Sequence, residues 1–172
     1  MVVSRQFDYL DRLVQVTNVP QGANQLPWVH GYGLNAANQR ARLNLNDSSY
    51  WVYQYDSLGQ VRSRERYWSD GRPVAGQRFQ YGFDDIGNRR NAEAGGDQHG
   101  ASLRLANYTP NNLNRYTQRD VPGAADRMGI ASGAALLSVN GDTSVYRRGG
   151  YFRKEVSVNN ANAGLLYDVR RT

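Results

Sequence analysis

Tyr53-Gln54-Tyr55-Asp56-Ser57-Leu58-Gly59-Gln60-Val61 and Tyr81-Gly82-Phe83-Asp84-Asp85-Ile86-Gly87-Asn88-Arg89 carry one pattern twice. In both, an aromatic residue precedes Asp, two variable residues follow, and Gly comes next. A seven-residue frame laid over the pattern also fits residues 7–13, 34–40 and, more loosely, 110–116. Its second position is then Asp8, Asn35, Asp56, Asp84 and Asn111, at intervals of 27, 21, 28 and 27 residues. A short carboxylate or amide there accepts hydrogen bonds from backbone N–H groups just ahead of it and closes an Asx-turn. The fifth position is Asp11, Asn38, Gly59, Gly87 and Asn114, drawn only from residue types that tolerate a left-handed backbone. Each frame therefore reads as a tight reversal of the chain.

The flanks alternate, which makes the reversals hairpin turns. Trp51, Tyr53 and Tyr55 enter the third turn on one face of a strand. After it, Val61, Ser63, Glu65 and Tyr67 are expected on one face and Arg62, Arg64 and Arg66 on the other. The connectors at 46–49 and 69–73 have the composition of hairpin ends. The best helix candidate, residues 124–139, is interrupted by Gly129 and Gly133 and has no clean stripe of period 3.6. The expectation is an all-β chain: consecutive antiparallel β-hairpins forming a curved sheet over residues 1–122, then a small β module over residues 123–172.

The frame stops at Val121-Pro122-Gly123. Beyond it, short alternating runs at 135–139, 151–158 and 165–169 are separated by Asn140-Gly141 and Asn159-Asn160. Asn-Gly is a strong signal for a two-residue hairpin turn. An open strip of hairpins leaves unpaired N–H and C=O groups on its edge strands, so the expectation is either association through those edges, with a second copy or with further repeats, or coverage of one edge by the module after Gly123.

Composition narrows the function. The 172 residues contain no Cys, which excludes disulfides and thiolate metal sites. No apolar run approaches the length of a membrane-spanning helix, and residues 1–10 lack the apolar core of a signal peptide. Insertion into a membrane is therefore not expected. The net charge of +6 comes almost entirely from arginine, since Lys154 is the only lysine. Arginine bias has a compositional origin as readily as a functional one, and nucleic-acid binding is disfavoured.

The pattern aromatic-Asp-x-x-Gly-Asn/Arg-Arg, led by a second aromatic residue as in Tyr53 to Gly59 and Tyr81 to Arg89, resembles the YD repeat of RHS-type proteins. The resemblance covers about two thirds of the chain. It implies a β-hairpin strip that in long members spirals into a hollow shell, in bacterial members around a toxin, in others as part of a cell-surface adhesion protein. It also implies further repeat segments and an encapsulated protein as partners, and an extracellular or cell-surface setting. The chain is far shorter than a closed shell requires. It contains no Asp-Pro pair, so the self-cleavage of some members does not carry over.

Catalytic readings are weak throughout, and neither an enzyme nor a cofactor is expected. Asp8, Asp56 and Asp84 are turn residues before they are acids, because Asn35 and Asn111 fill the same place and cannot exchange a proton. His30 and His99 lack partners at metal-ligand spacing. The row Arg62, Arg64 and Arg66 is the candidate binding face, with a solvated strand face as its plainer meaning. Trp28 and Trp68 are candidate platforms for a carbohydrate. A stand-alone module binding glycan or nucleic acid is thus the rival to a structural role.

Overall fold

At every frame the Asx side chain closes the reversal. In the computed structural model, which describes residues 1–22 and 25–159, one Oδ1 atom accepts from the backbone N–H groups two and four residues ahead. The same residue's own N–H reaches the carbonyl four ahead, at 3.0 Å for Asp8 and 2.8 Å for Asn111. The fifth positions all have positive φ: 57° at Asp11, 59° at Asn38, 82° at Gly59, 88° at Gly87 and 56° at Asn114.

These turns join ten strands into one antiparallel sheet whose spatial order is the chain order. The strands are β1 (Val2–Phe7), β2 (Leu13–Val19), β3 (Trp28–Leu34), β4 (Arg40–Asn44) and β5 (Tyr50–Tyr55), then β6 (Val61–Tyr67), β7 (Pro73–Phe83), β8 (Arg89–Gly95), β9 (Leu103–Pro110) and β10 (Tyr116–Arg119). The five frames lie at one end of the sheet. At the other end, Leu45 to Ser49, Trp68 to Arg72 and Asp97 to Ala101 make the same pair of backbone bonds, with Ser48, Gly71 and Gly100 at positive φ.

Two further features recur in the frames. Just past each turn the register slips by one residue, leaving Val14, Ala41, Arg62, Arg90 and Thr117 as the unpaired extra residue of a β-bulge. The residue after the fifth position also reaches the next frame's turn. Arg12 donates to Asn38 at 2.9 Å and Asn88 to Asn114 at 3.2 Å. A Cβ on Gly59 would lie 3.1 Å from Gln39 Nε2, and one on Gly87 3.5 Å from Gln60 Oε1. The turns are thus a contiguous row, each resting on its neighbour.

A second sheet, of β11 (Ala124–Ile130), β12 (Tyr146–Arg148) and β13 (Tyr151–Ser157), has β13 in its middle. It packs on β7, where Val74, Ala75, Gly76 and Gln77 stand opposite the single residue Arg66 and bulge towards it. Val74 and Ala75 are buried there, and the Tyr151 hydroxyl donates to the Ala75 carbonyl at 2.5 Å. Gly76 has φ 81°, and a Cβ on it would sit 2.6 Å from Met128 Sδ, so the backbone conformation and the close approach of β11 both require glycine. With Trp51 and Ala106 these residues form the small core.

All thirteen strands are antiparallel and no helix is present among the described residues. Residues 135–139 are not the strand that their alternation predicts: Leu136 is 98% exposed, and Val139 forms an isolated β-bridge to Asp142. Asn140 and Gly141 do form the tight turn, both at positive φ. The run at 165–169 lies outside the described residues.

Candidate interaction surface

Cross-strand partners share a face, so the registers sort every side chain of the large sheet. One face is polar, with Gln54, Ser63, Gln80, Asn91 and Asn107 among its residues. The other alternates strand by strand from β3 to β8, while β9 and β10 each carry both kinds, Tyr108 with Arg104 and Arg119 with Tyr116. Odd strands bring rings: Tyr32 on β3, Trp51, Tyr53 and Tyr55 on β5, Phe79, Tyr81 and Phe83 on β7, Tyr108 on β9. Even strands bring arginine: Arg40 on β4, Arg64 and Arg66 on β6, Arg89 on β8, Arg119 on β10.

The guanidiniums lie on the neighbouring rings. Arg40 stands 4.2 Å over Tyr32, Arg64 4.0 Å over Trp51, Arg89 4.7 Å over Tyr81 and Arg119 5.4 Å over Tyr108. Such pairs contribute about 0.5–1 kcal/mol each at exposed sites. A sheet with little covering layer gains cohesion from them where it lacks a deep core. The only acids on the ten strands, Glu65 and Glu93, are both on the polar face. There Tyr67 donates to Glu65 at 2.5 Å, and its hydroxyl is pushed up to about 12 by burial and by that carboxylate.

The expected row of three arginines is divided. Arg62 is a bulge residue and lines a polar depression with Gln54, Ser63, Gln80 and Glu93, whereas Arg64 and Arg66 share the aromatic face with Trp51 and Tyr53. The bulge also puts Val61, opposite Tyr55, on the aromatic face rather than with Ser63 and Glu65. Arg66 turns inward to Asp47 at 2.6 Å and to Ser49, which is fully buried. Asp8, Asn35, Asp56, Asp84 and Asn111, with Asp11, Asn38, Gly59, Gly87 and Asn114, stay in their turns at the end of the sheet, where Asn38 borders the depression that Arg40, Tyr53 and Tyr55 line.

The second sheet covers part of the aromatic face by matching its charge. Arg104 on β9 donates to Asp126 at 2.5 Å and to Glu155 at 2.6 Å, and Arg153 joins both acids at 2.6 Å. Burial works against the Arg104 charge, yet the two carboxylates outweigh it and raise its pKa. At the rim, Arg148 reaches Asp70 at 2.8 Å. Sequence reading missed this cluster, because Arg104 and Glu155 are separated by 51 residues and share no motif.

Trp68 packs edge-on to Tyr151 with ring centroids 5.4 Å apart, so it is no free platform. Trp28 is 62% exposed and lines a cleft of 900 Å³ with Leu26, Leu45 and Ile130. His30 is on β3 and His99 in the turn after β8, and among the described residues no group of three His, Asp or Glu side chains is arranged to hold a metal. No helix among them is long and apolar enough to cross a membrane. A scan against protein-family models and a search of curated proteins found no match to this chain.

Proposed function

We propose that the chain is a structural segment, a curved wall of β-hairpin repeats in an RHS-like shell or cell-surface protein, and that it contributes wall rather than chemistry. The observation that supports this reading is the row of five equivalent turns, each with its Asx closure and bulge, and each of the first four reaching the next. A unit that stacks on its neighbour through the same contacts extends by addition, as repeat architectures do.

The edges favour extension through β1. Its six residues are all exposed, and Val2 and Phe7 are 57% and 56% accessible. The other end is blunted: β10 has four residues, and Asp120 takes both the N–H and the C=O of Asn107 on β9 through its carboxylate and its own N–H. Further repeats, in the same polypeptide or a second copy, would pair with β1. A toxin-enclosing or adhesive assembly is the setting that the resemblance brings to this reading.

Sedimentation tests it. Asp8 bonds inward to Arg12, so by alternation Val3 and Arg5 aim their N–H groups outward. The wild-type chain is expected to associate with rising concentration. A Val3→Pro, Arg5→Pro variant that keeps its circular dichroism is expected to stay monomeric. A monomeric wild type at every attainable concentration, or undiminished association of the variant, overturns the proposal.

A further inference from the structure

Arg40, Arg64 and Arg89 have rings beneath them and no ion pair among the described residues. Arg40 and Arg64 are exposed, and Arg89 Nε is buried with no hydrogen-bond partner. Where the second sheet covers this same face, the arginine beneath it is met by acids, Arg104 by Asp126 and Glu155. One part of the face is therefore already occupied by a carboxylate-bearing stretch of polypeptide. The rest repeats the cationic half of that pairing with nothing upon it. We propose that the uncovered part of the aromatic face binds an extended acidic polypeptide segment, which crosses the strands and offers carboxylates to Arg40, Arg64 and Arg89 in turn.

The registers set these arginines on two levels. Arg40 and Arg89 take the same place just past their turns, opposite Leu34 and Phe83, whereas Arg64 stands opposite Tyr53 and Phe79, farther from the turns. A flexible chain that carries several acids can meet cations on both levels, which a small rigid anion cannot. The stacked geometry supports carboxylate as well. A guanidinium lying flat on a ring keeps its N–H edge free for a two-pronged bond to a carboxylate. A nucleobase needs the ring face itself, and that face is taken. The face and the edge strands are different surfaces, so failure of edge pairing leaves this binding intact.

Fluorescence anisotropy of the full chain decides it, with a labelled peptide of alternating Glu and Ala. The same peptide with Gln in place of Glu tests the charge, and oligothymidylate of equal charge tests the nucleic-acid source. Binding is expected to be strongest for the Glu peptide. Arg40→Gln with Arg64→Gln is expected to weaken it about tenfold or more, since each change removes a charge-assisted bond. Arg42→Gln with Arg62→Gln removes the same charge from the polar face and is expected to change binding less than about twofold. If the first pair does not fold, Arg40→Lys with Arg64→Lys keeps the charge and loses the fork, and is expected to weaken binding about threefold. No binding, equal loss from the two faces, indifference to the lysine exchange, or tighter binding of the oligothymidylate overturns the proposal.

Discussion

Arg104 on β9 and Asp126 on β11 form a 2.5 Å ion pair that ties the two sheets together, with Asp126 only 7% exposed. Removing the acid leaves Arg104 and Arg153 with Glu155 as the one carboxylate they still share. Asp126→Asn is expected to destabilise the chain by about 2 kcal/mol, the usual loss of hydrogen bonds to a charged group when a compensating charge remains. Urea unfolding followed by tryptophan fluorescence checks it, because Trp68 reports the contact with Tyr151. A change within about 0.5 kcal/mol, the range of ordinary surface substitutions, would mean that the sheets are held together by other contacts.

Gly59 is expected to resist replacement for two independent reasons. Its φ of 82° costs a side chain about 1–2 kcal/mol. A Cβ would also press on Gln39 of the preceding turn. Gly59→Val should therefore lower the urea midpoint, and Gly59→Val combined with Gln39→Ala should recover the steric part while leaving the backbone part. Full recovery, or none, would contradict the division.

Acid should loosen the turns. At Asp8, Asp84 and Asp97 desolvation opposes ionisation, but the hydrogen bonds that they accept, from backbone N–H groups at all three and from the side chains of Arg12 at Asp8 and Asn88 at Asp84, outweigh it and hold their pKa values below the ordinary carboxylate range. A depressed folded pKa gives stability that is present above the unfolded value of about 4 and lost as pH falls through the folded value. Asn35 and Asn111 make the same bonds without titrating. In Asp8→Asn with Asp84→Asn, stability should therefore fall less steeply below about pH 4 than in the wild type. Parallel acid limbs would show that these turns do not carry the dependence.

The turns were legible because their chemistry is local: an Asx acceptor and a residue tolerant of positive φ, three positions apart. The same rule was present in Asp97-Gln98-His99-Gly100, which closes an equivalent turn, but no aromatic residue precedes it to draw the eye. The bulges were not legible. Val14, Ala41, Arg62, Arg90 and Thr117 share a place and no chemistry, since a bulge is set by how two strands meet. That hidden slip divided the expected arginine row. Residues 135–139 alternate as a strand would, yet they find no partner strand, and period alone cannot supply one. The aromatic and arginine ladder needs the registers of the seven adjacent strand pairs from β3 to β10, which no single segment records.

The most direct test of the structural reading is amide hydrogen exchange along β1. Val3 and Arg5 direct their N–H groups away from β2, and in an isolated chain nothing in the sheet protects them. If the strip extends by edge pairing, these amides should exchange freely in dilute solution and become protected as concentration rises, while Ser4 and Gln6 stay protected throughout. Free exchange of Val3 and Arg5 at every concentration, with the chain remaining monomeric, would contradict the claim that this sheet is a piece of wall.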